Sequence, residues 1–563
     1  MKTKVILFFT LICISVSAQE IQQSESEGLS GLKDYVHTTK LGIMTKWRKD
    51  FGPNAEDVDT RITNDIIENE FNSGTVTTYP SSNWDGEREY DLSRINELVN
   101  YYYSRNKPIM THLLFAPNQY FPKWFPKKDY SKKQLRALMD HWLKTIAEAN
   151  DNGKKVATWN VLNEVFEHHG NGYKGIKHPK GQPGSENEWI KLGYEPDNSG
   201  LTGDAKINKE HPLFIREIFE TADKYFEGKL ELRDWNIEFM EQAKRHGMYQ
   251  LAAHMVNSDI PLDAIGFQTH ISTAADYEWD SFVQNVKSFR ALGLETWIVE
   301  IDFGDKDRFY NEEEALRQKL INYNLVRAAL ESGMEWIQYW GLTDGGTWRD
   351  YQHALMYDDA FTRKPAYYGA EEALKASERL KVKAKGNCGG EKLYMNIDGK
   401  RMASWVLSPE WSDYAYPWFT KDAEISFEID TSETAACKKD QEKGASVAKL
   451  WSYGTEYEVI NMKSVKVKAP SSLPKPLKEL DIRTQARTYI INRTKDDIEA
   501  VERFNIYNAP TIDGFFQRIN LRPHTGPEFS ISMKQVAPGS VIAITRINDN
   551  GEESARTFLT VPN

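Results

Sequence analysis

An α/β architecture, a (β/α)8 TIM barrel followed by two small all-β sandwich domains, is what this chain predicts, and three observations carry it. Between residues 40 and 345, short β-prone apolar runs alternate with longer segments of helical periodicity, the pattern of repeated βα units. After about residue 376 the helical periodicity stops and two-residue alternation replaces it. The chain has 563 residues, more than the ~250 that a barrel needs, so further domains follow it.

Eight runs read as the barrel strands: Lys40–Thr45, Asp65–Phe71, Pro108–Phe115, Ala157–Leu162, Glu231–Asn236, Asp263–His270, Thr296–Asp302 and Trp336–Leu342. Segments between them, such as Lys132–Asn150 and Glu312–Glu331, carry the helical period. The connection after the fourth strand, Glu167 to Pro212, is rich in Gly, Pro and Asn. Its first part holds His168, His169, Lys174, Lys177, His178 and Lys180 against the single acid Glu167. It reads either as a solvated surface loop or as a basic lip for an anionic polymer, since long irregular loops in compact domains are usually functional.

Beyond the barrel, Lys392–Ile397 and Glu424–Ile429 alternate apolar and polar residues as sandwich strands do. Pro470–Pro476 is a proline- and serine-rich linker. The boundaries are then 25–377 for the barrel, 378–466 for the first sandwich, 467–476 for the linker and 477–563 for the second. At the other end, Lys2 and Lys4 precede the apolar run Val5–Val16 and then Ser17-Ala18. That is a signal peptide over residues 1–18 with cleavage after Ala18, and it predicts a secreted or periplasmic protein. No other stretch reads as a membrane span. Removing Cys13 leaves Cys388 and Cys437, which form either one disulfide or two free thiols.

The net charge of −11 argues against nucleic acid, because neutralising phosphates takes clustered Lys and Arg. Aromatics make up 12 % of the chain, with 16 Trp and 27 Tyr, a supply of faces that suit pyranose rings. Such a supply fits stacking against sugars, though many of these rings belong to the core, and a monomer is expected.

The chemistry is concentrated at four strand ends. Trp159-Asn160-Val161-Leu162-Asn163-Glu164 and Ile298-Val299-Glu300-Ile301-Asp302 are apolar runs that end in carboxylates, placed where barrels display catalytic groups. Either glutamate alone reads as a loop cap or a lysine partner. The supporting ends change that reading: Asn163 precedes Glu164, Asp263–His270 ends in Gln268, Thr269 and His270, and Trp340–Asp344 is followed by Trp348. Two strand-end glutamates are what retaining glycoside hydrolysis requires, one as proton donor and one as nucleophile roughly 5 Å away.

Taken in order, these segments resemble glycoside hydrolase family 10, the endo-β-1,4-xylanase family, over roughly residues 30–375. The resemblance implies Glu164 as acid/base and Glu300 as nucleophile, in a double displacement that cleaves β-1,4-xylosidic bonds. It further implies substrate-binding roles for Glu68, Asn69, His112, Asn163, Gln268, His270, Trp340 and Trp348. His270 would hold Glu300 ionised. Weaker matches lie at Thr111-His112 and Lys364–Tyr367. No cofactor or metal is implied.

Three departures from the family pattern stand out. Asn72 occupies the position expected for a glycone-gripping lysine, Ala116-Pro117 stand in place of a tryptophan-histidine pair ahead of Trp124, and Asn160 replaces an aspartate. A glycone subsite with altered specificity follows, one that accepts a substituted or non-xylan polysaccharide, uronate- or sulfate-bearing ones included. A non-catalytic glycan-binding protein on the same fold is the other alternative. In the first sandwich, Gly389-Gly390-Glu391, Asn396–Gly399 and Ser404-Trp405 resemble carbohydrate-binding modules of families 36 and 60, which bind xylan through calcium. Lys449 stands where a coordinating acid is expected, so no metal site is predicted. The last hairpin, Gly539–Asn548 with Gly551–Leu559, is similar to that of fibronectin type III-like domains, which suggests a spacer.

Overall fold

The structure is a computed structural model that describes residues 30–36, 39–44, 58–117, 120–122, 124–125, 129–151, 153–166, 188–195, 211–305, 309–349, 351–377, 380–386, 391–415, 423–430, 446–452, 455–458, 465–467, 471–493 and 503–562. The leader, the Lys- and His-bearing stretch after Glu167, Cys388 and Cys437 lie outside the described residues.

Eight parallel strands close into a barrel: β1 (Lys40–Met44), β2 (Ser73–Thr77), β3 (Ile109–His112), β4 (Thr158–Asn163), β5 (Lys229–Asp234), β6 (Ala264–Phe267), β7 (Glu295–Phe303) and β8 (Trp336–Tyr339). Neighbours pair in chain order, and β8 pairs with both β7 and β1 to seal the ring. Around it lie α1 (Val58–Glu70), α2 (Ser93–Tyr103), α3 (Lys132–Ala149), α4 (Leu213–Asp223), α5 (Ala243–Asn257), α6 (Trp279–Arg290), α7 (Glu312–Ser332) and α8 (Pro365–Ser377).

Local chemistry sets these boundaries. α3 starts at a capping box in which Ser131 and Gln134 bond each other's backbone N–H. It buries Leu135, Leu138, Met139, Trp142, Leu143 and Ile146, spaced three and four apart. Asn311 caps α7, and Gly333 ends it at φ +84°, a conformation that glycine adopts without strain.

One predicted strand is wrong. Asp65–Phe71 is not β2 but the end of α1 and the residue after it, and the strand follows at Ser73–Thr77. Ile67 and Phe71, both buried, are spaced i and i+4, a helical interval that the apolar run disguised. The true strand, Ser-Gly-Thr-Val-Thr, has little apolar character because Ser73 and Thr75 hydrogen-bond Gln338 inside the barrel and helix α2 packs hard against Gly74. A Cβ at Gly74 would sit 2.3 Å from the Tyr102 ring.

Past α8 the chain forms antiparallel sheets. The first two are β12-β9-β14-β15 and β11-β10-β13-β16, built from β9 (Leu380–Lys385), β10 (Lys392–Ile397), β11 (Lys400–Val406), β12 (Ser412–Ala415), β13 (Glu424–Asp430), β14 (Ser446–Ser452), β15 (Thr455–Glu458) and β16 (Val465–Lys466). The last two are β17-β18-β21 and β20-β19-β22-β23, from β17 (Leu480–Gln485), β18 (Thr488–Arg493), β19 (Arg503–Ala509), β20 (Gln517–Arg518), β21 (Glu528–Ser532), β22 (Val541–Ile547) and β23 (Thr557–Thr560). Lys449 on β14 pairs with Glu456 at 2.7 Å.

Both sets of sheets rest on the barrel's helices. Arg290 of α6 is fully buried between Glu335 (2.7 Å) and the Ser412 hydroxyl (3.2 Å). The Asn324 side chain of α7 exchanges two hydrogen bonds with the Arg518 backbone, at 2.9 and 2.8 Å. Arg327 donates to the Phe516 carbonyl at 3.2 Å, and Arg518 pairs with Glu372 of α8 at 3.0 Å.

Candidate active site

The C-terminal ends of the strands surround a cavity of about 1140 Å³ whose walls include Glu164, Glu300, His112, Gln268, His270, Trp340 and Trp348. Six of these come from the ends of β3 to β8 or the residues just past them. Trp348 comes from the loop after β8.

Glu300 lies inside β7 and is 3 % exposed. Each of its oxygens meets a cationic donor. Arg233 Nη1 lies 3.2 Å from Oε1, and His270 Nε2 lies 3.3 Å from Oε2. His270 Nδ1 is in turn 2.9 Å from Asp302 Oδ1, and the Trp348 indole N–H donates to Asp302 Oδ2 at 2.8 Å. Burial works against a charge on His270, but the Asp302 and Glu300 carboxylates outweigh it and push its pKa up to about 10. His270 is therefore an imidazolium that donates at both nitrogens.

His112, the other histidine on Glu300, titrates in the opposite direction. Burial first, then the positive charges of Arg233 and His270, hold it well below its ordinary value. Its Nδ1 lies 3.2 Å from both Arg233 Nη1 and Glu300 Oε1. Arginine can only donate, so the neutral ring accepts there and carries its proton on Nε2.

Glu164 follows β4 directly and has a left-handed backbone, φ +52°, uncommon for any residue with a Cβ. Its N–H donates to the Arg233 carbonyl at 2.9 Å. Asn236 and Thr269, just past β5 and β6, share that conformation at +60° and +59°, so three neighbouring strand ends turn sharply at the cavity mouth. Such local strain persists where surrounding structure enforces it. Gln268 bridges the site by donating to Asn163 Oδ1 at 3.1 Å and Glu164 Oε1 at 3.3 Å. The Asn163 Nδ2 is buried and has no hydrogen-bond partner among the described residues.

Two of the residues singled out from the sequence are not brought here. Glu68 sits on α1, where it pairs with Arg105 at 2.8 Å and Lys107 at 3.4 Å, and Asn69 is exposed on the same helix. Both assignments followed from the misplaced strand. Asn72 likewise faces away: its side chain accepts from the Leu41 N–H and donates to the Thr39 carbonyl beside β1. That quarter of the cavity is formed by Thr77, Tyr79, Ser82 and Asn83.

Nor is this wall without aromatics, despite Ala116-Pro117. Tyr79 stacks on Tyr120 with centroids 4.6 Å apart and meets the His112 ring edge-on at 5.4 Å. Both tyrosines line the cavity, and burial pushes the Tyr120 hydroxyl up to about 12. Trp124 instead turns away, its indole N–H donating to the Trp84 carbonyl at 2.9 Å. Sequence reading missed Tyr79, Tyr120 and Arg233. Only Arg233 left a signal, a Glu-x-Arg pair inside an apolar strand.

Comparison with known proteins places this geometry in a family. The model of glycosyl hydrolase family 10 matches residues 53–373. Endo-1,4-beta-xylanase A of Thermoanaerobacterium saccharolyticum is 26% identical over 342 residues, which is 58% of this chain and 26% of that protein. Endo-1,4-beta-xylanase B of Thermotoga neapolitana is 25% identical over 335 residues, 56% of this chain and 84% of that one. The chain thus spans only about a quarter of the Thermoanaerobacterium protein. Among solved structures, xylanase 10B from Thermotoga maritima superposes with a TM-score of 0.51 at 23% identity, covering 61% of this chain and 98% of that one, a likeness of fold. With the family model matching more than half of its length, the chain belongs to glycosyl hydrolase family 10.

Proposed function

We propose that this protein is an exported, retaining endo-glycosidase that hydrolyses β-1,4-xylosidic bonds in xylan. The observation that carries the reading is the pair Glu164 and Glu300 on one cavity, in unlike surroundings. Glu300 is buried between two cationic donors, Arg233 and His270, which fix both of its oxygens in the cavity. Glu164 accepts from the amide of Gln268 at 3.3 Å, a neutral donor. The names of the relatives support xylan as the substrate.

In the first step a Glu300 oxygen bonds the anomeric carbon as the glycosidic C–O bond breaks, and the Glu164 proton passes to the departing oxygen. In the second, Glu164 takes a proton from water, whose oxygen bonds the anomeric carbon and releases Glu300 as carboxylate. The Asn163 Nδ2, without a hydrogen-bond partner among the described residues, supplies a donor for a hydroxyl of the reacting sugar. Trp340 and Trp348 supply ring faces.

A second reading, a decorated or non-xylan glycan, is favoured by the wall of Thr77, Tyr79, Ser82, Asn83 and Tyr120. It offers hydroxyls and two stacked rings where a charged grip was expected. The uronate- or sulfate-bearing case rests on the basic stretch after Glu167 and keeps the same test. Export rests on Lys2, Lys4 and the apolar run Val5–Val16 and is tested by N-terminal sequencing of the protein from culture fractions.

The activity test is reducing-end release from linear xylan, glucuronate-substituted xylan, mixed-linkage algal xylan and sulfated algal polysaccharides, with Glu164→Ala as control. Release from linear xylan supports the first reading, and release from a decorated or anionic glycan alone supports the second. No release from any, with binding unchanged in Glu300→Gln, makes the protein a glycan binder and ends both.

A further inference from the structure

Arg233 is an unexpected residue for its place. It is on β5 with its side chain fully buried, and Glu231, two residues earlier on the same face, is fully buried as well. Barrel interiors are normally filled by layers of branched apolar side chains, and burying two charges is costly unless they are paired and fully bonded.

All five guanidinium N–H groups have acceptors. Nε and Nη2 form a fork onto the two oxygens of Glu231 at 2.7 and 2.6 Å. Nη2 also donates to the Thr111 carbonyl at 3.1 Å. Nη1 has Glu300 Oε1 and His112 Nδ1, each at 3.2 Å. The fork fixes the plane of the guanidinium, and with it the direction of the bond to Glu300. The barrel leaves room for the pair at Gly266 of β6, where a Cβ would sit 1.9 Å from Glu231 Oε1 and 2.8 Å from the Arg233 Cβ.

Two cations therefore meet Glu300, and each has an anion behind it: Glu231 behind Arg233, and behind His270 Asp302, which Arg349 also pairs at 3.0 Å. When Glu300 becomes an ester its charge is consumed, yet neither cation is left unpaired. Both attract a carboxylate more strongly than an ester, so they favour the departure of Glu300 from the sugar.

We propose that Arg233, clamped by Glu231, is a positioning residue that aims the nucleophile Glu300 and promotes its release in the second step of the reaction. This rests on Glu300 being the nucleophile. The charged and titratable groups around Glu300 are Arg233, His112 and His270 in contact, with Glu231, Asp302, Glu164, Tyr79 and Tyr120 beyond and Arg349 behind Asp302 at 3.0 Å.

The test uses the full chain in wild-type, Arg233→Gln and Arg233→Lys forms, with two readouts. The first is the Glu300 titration midpoint by carbon-13 NMR of labelled glutamate carboxyls, assigned with Glu300→Gln. It needs no substrate. Arg233→Gln is expected to raise the midpoint by one unit or more, and Arg233→Lys by much less. The second is the pre-steady-state burst with a dinitrophenyl β-glycoside of whichever sugar the panel identifies. Both variants are expected to slow the steady-state phase at least tenfold while the burst rate changes less. If Arg233→Gln does not fold, Arg233→Lys alone decides, because it keeps the charge and loses the fork. An unmoved midpoint in Arg233→Gln, or a wild-type steady-state rate in Arg233→Lys, overturns the proposal. If no glycan is cleaved, the proposed function fails, while the titration still decides whether Arg233 holds Glu300.

Discussion

His270 lies between two carboxylates, with Nε2 3.3 Å from Glu300 Oε2 and Nδ1 2.9 Å from Asp302 Oδ1. A neutral imidazole has one N–H and would serve only one of them. The arrangement therefore depends on a proton that His270 holds up to about pH 10.

Stability should follow that proton. The folded-state value lies above the ordinary 6.5, so protonation stabilises the native state fully below about pH 6.5 and progressively less as pH climbs through about 10. His270→Gln, with one amide donor and no titration, should lose most relative to wild type near pH 6 and least above pH 10. Thermal melts of the two proteins across that range check this. A constant gap would mean that His270 carries no extra proton.

Asn163→Ala separates a structural role from a substrate role. The buried Nδ2 has no partner among the described residues, and Oδ1 accepts only from Gln268, which keeps its bond to Glu164, so the variant gives up one neutral bond worth ~0.5–1.5 kcal/mol and should lower the melting temperature by a few degrees at most. A hydrogen bond that strengthens in the transition state is worth ~1.5–3 kcal/mol, which is about 10- to 150-fold in rate. We expect kcat to fall by that range. A kcat near wild type would leave the unpaired amide without a use.

Trp348 does two things at once. The residue is 56% exposed at the cavity, and its N–H holds Asp302 at 2.8 Å. Trp348→Phe keeps a ring face and loses the tether, while Trp348→Ala loses both. If stacking dominates, Phe should hold KM within a few-fold and Ala should raise it about tenfold, from ~1.5 kcal/mol of lost ring contact. Equal losses in both variants would assign the residue to Asp302 instead.

The carboxylate-bearing ends of the barrel strands were legible because their pattern is local: an apolar run, then Asn163-Glu164, or Glu300 ahead of Asp302. The second strand was not. In Ser73–Thr77 a glycine lets Tyr102 of α2 approach, while Ser73 and Thr75 serve Gln338 inside the barrel, in place of the branched residues that signal a strand, and the error carried Glu68, Asn69 and Asn72 with it. Tyr79 and Tyr120 sit in loops, where spacing says nothing about which rings meet. Arg233 broke the rule that barrel interiors are apolar, and the rule won. The packing of the last sheets was hidden for a related reason. α7 carries its helical period plainly but buries Gln318, Asn322, Asn324 and Arg327, polar residues whose spacing does not say that another domain covers them.

That polar face yields the last prediction. A spacer on a flexible tether would share no buried hydrogen bonds with the barrel, yet Asn324 pairs with both backbone groups of Arg518 at 2.9 and 2.8 Å. Beside them, the Tyr323 and Tyr507 hydroxyls meet at 3.2 Å. Asn324→Leu keeps the bulk and removes both partners, leaving a buried N–H and a buried C=O at a cost of ~1–3 kcal/mol each. A tethered domain would not register the change. A docked one should lower the melting temperature of the full chain by several degrees. Because α7 lies outside the barrel wall, far along the chain from Glu164, kcat at a temperature below the transition should stay at wild type. Scanning calorimetry with an activity assay on the same sample checks both halves, and an unchanged melt would show the last sheets to be independent of the barrel.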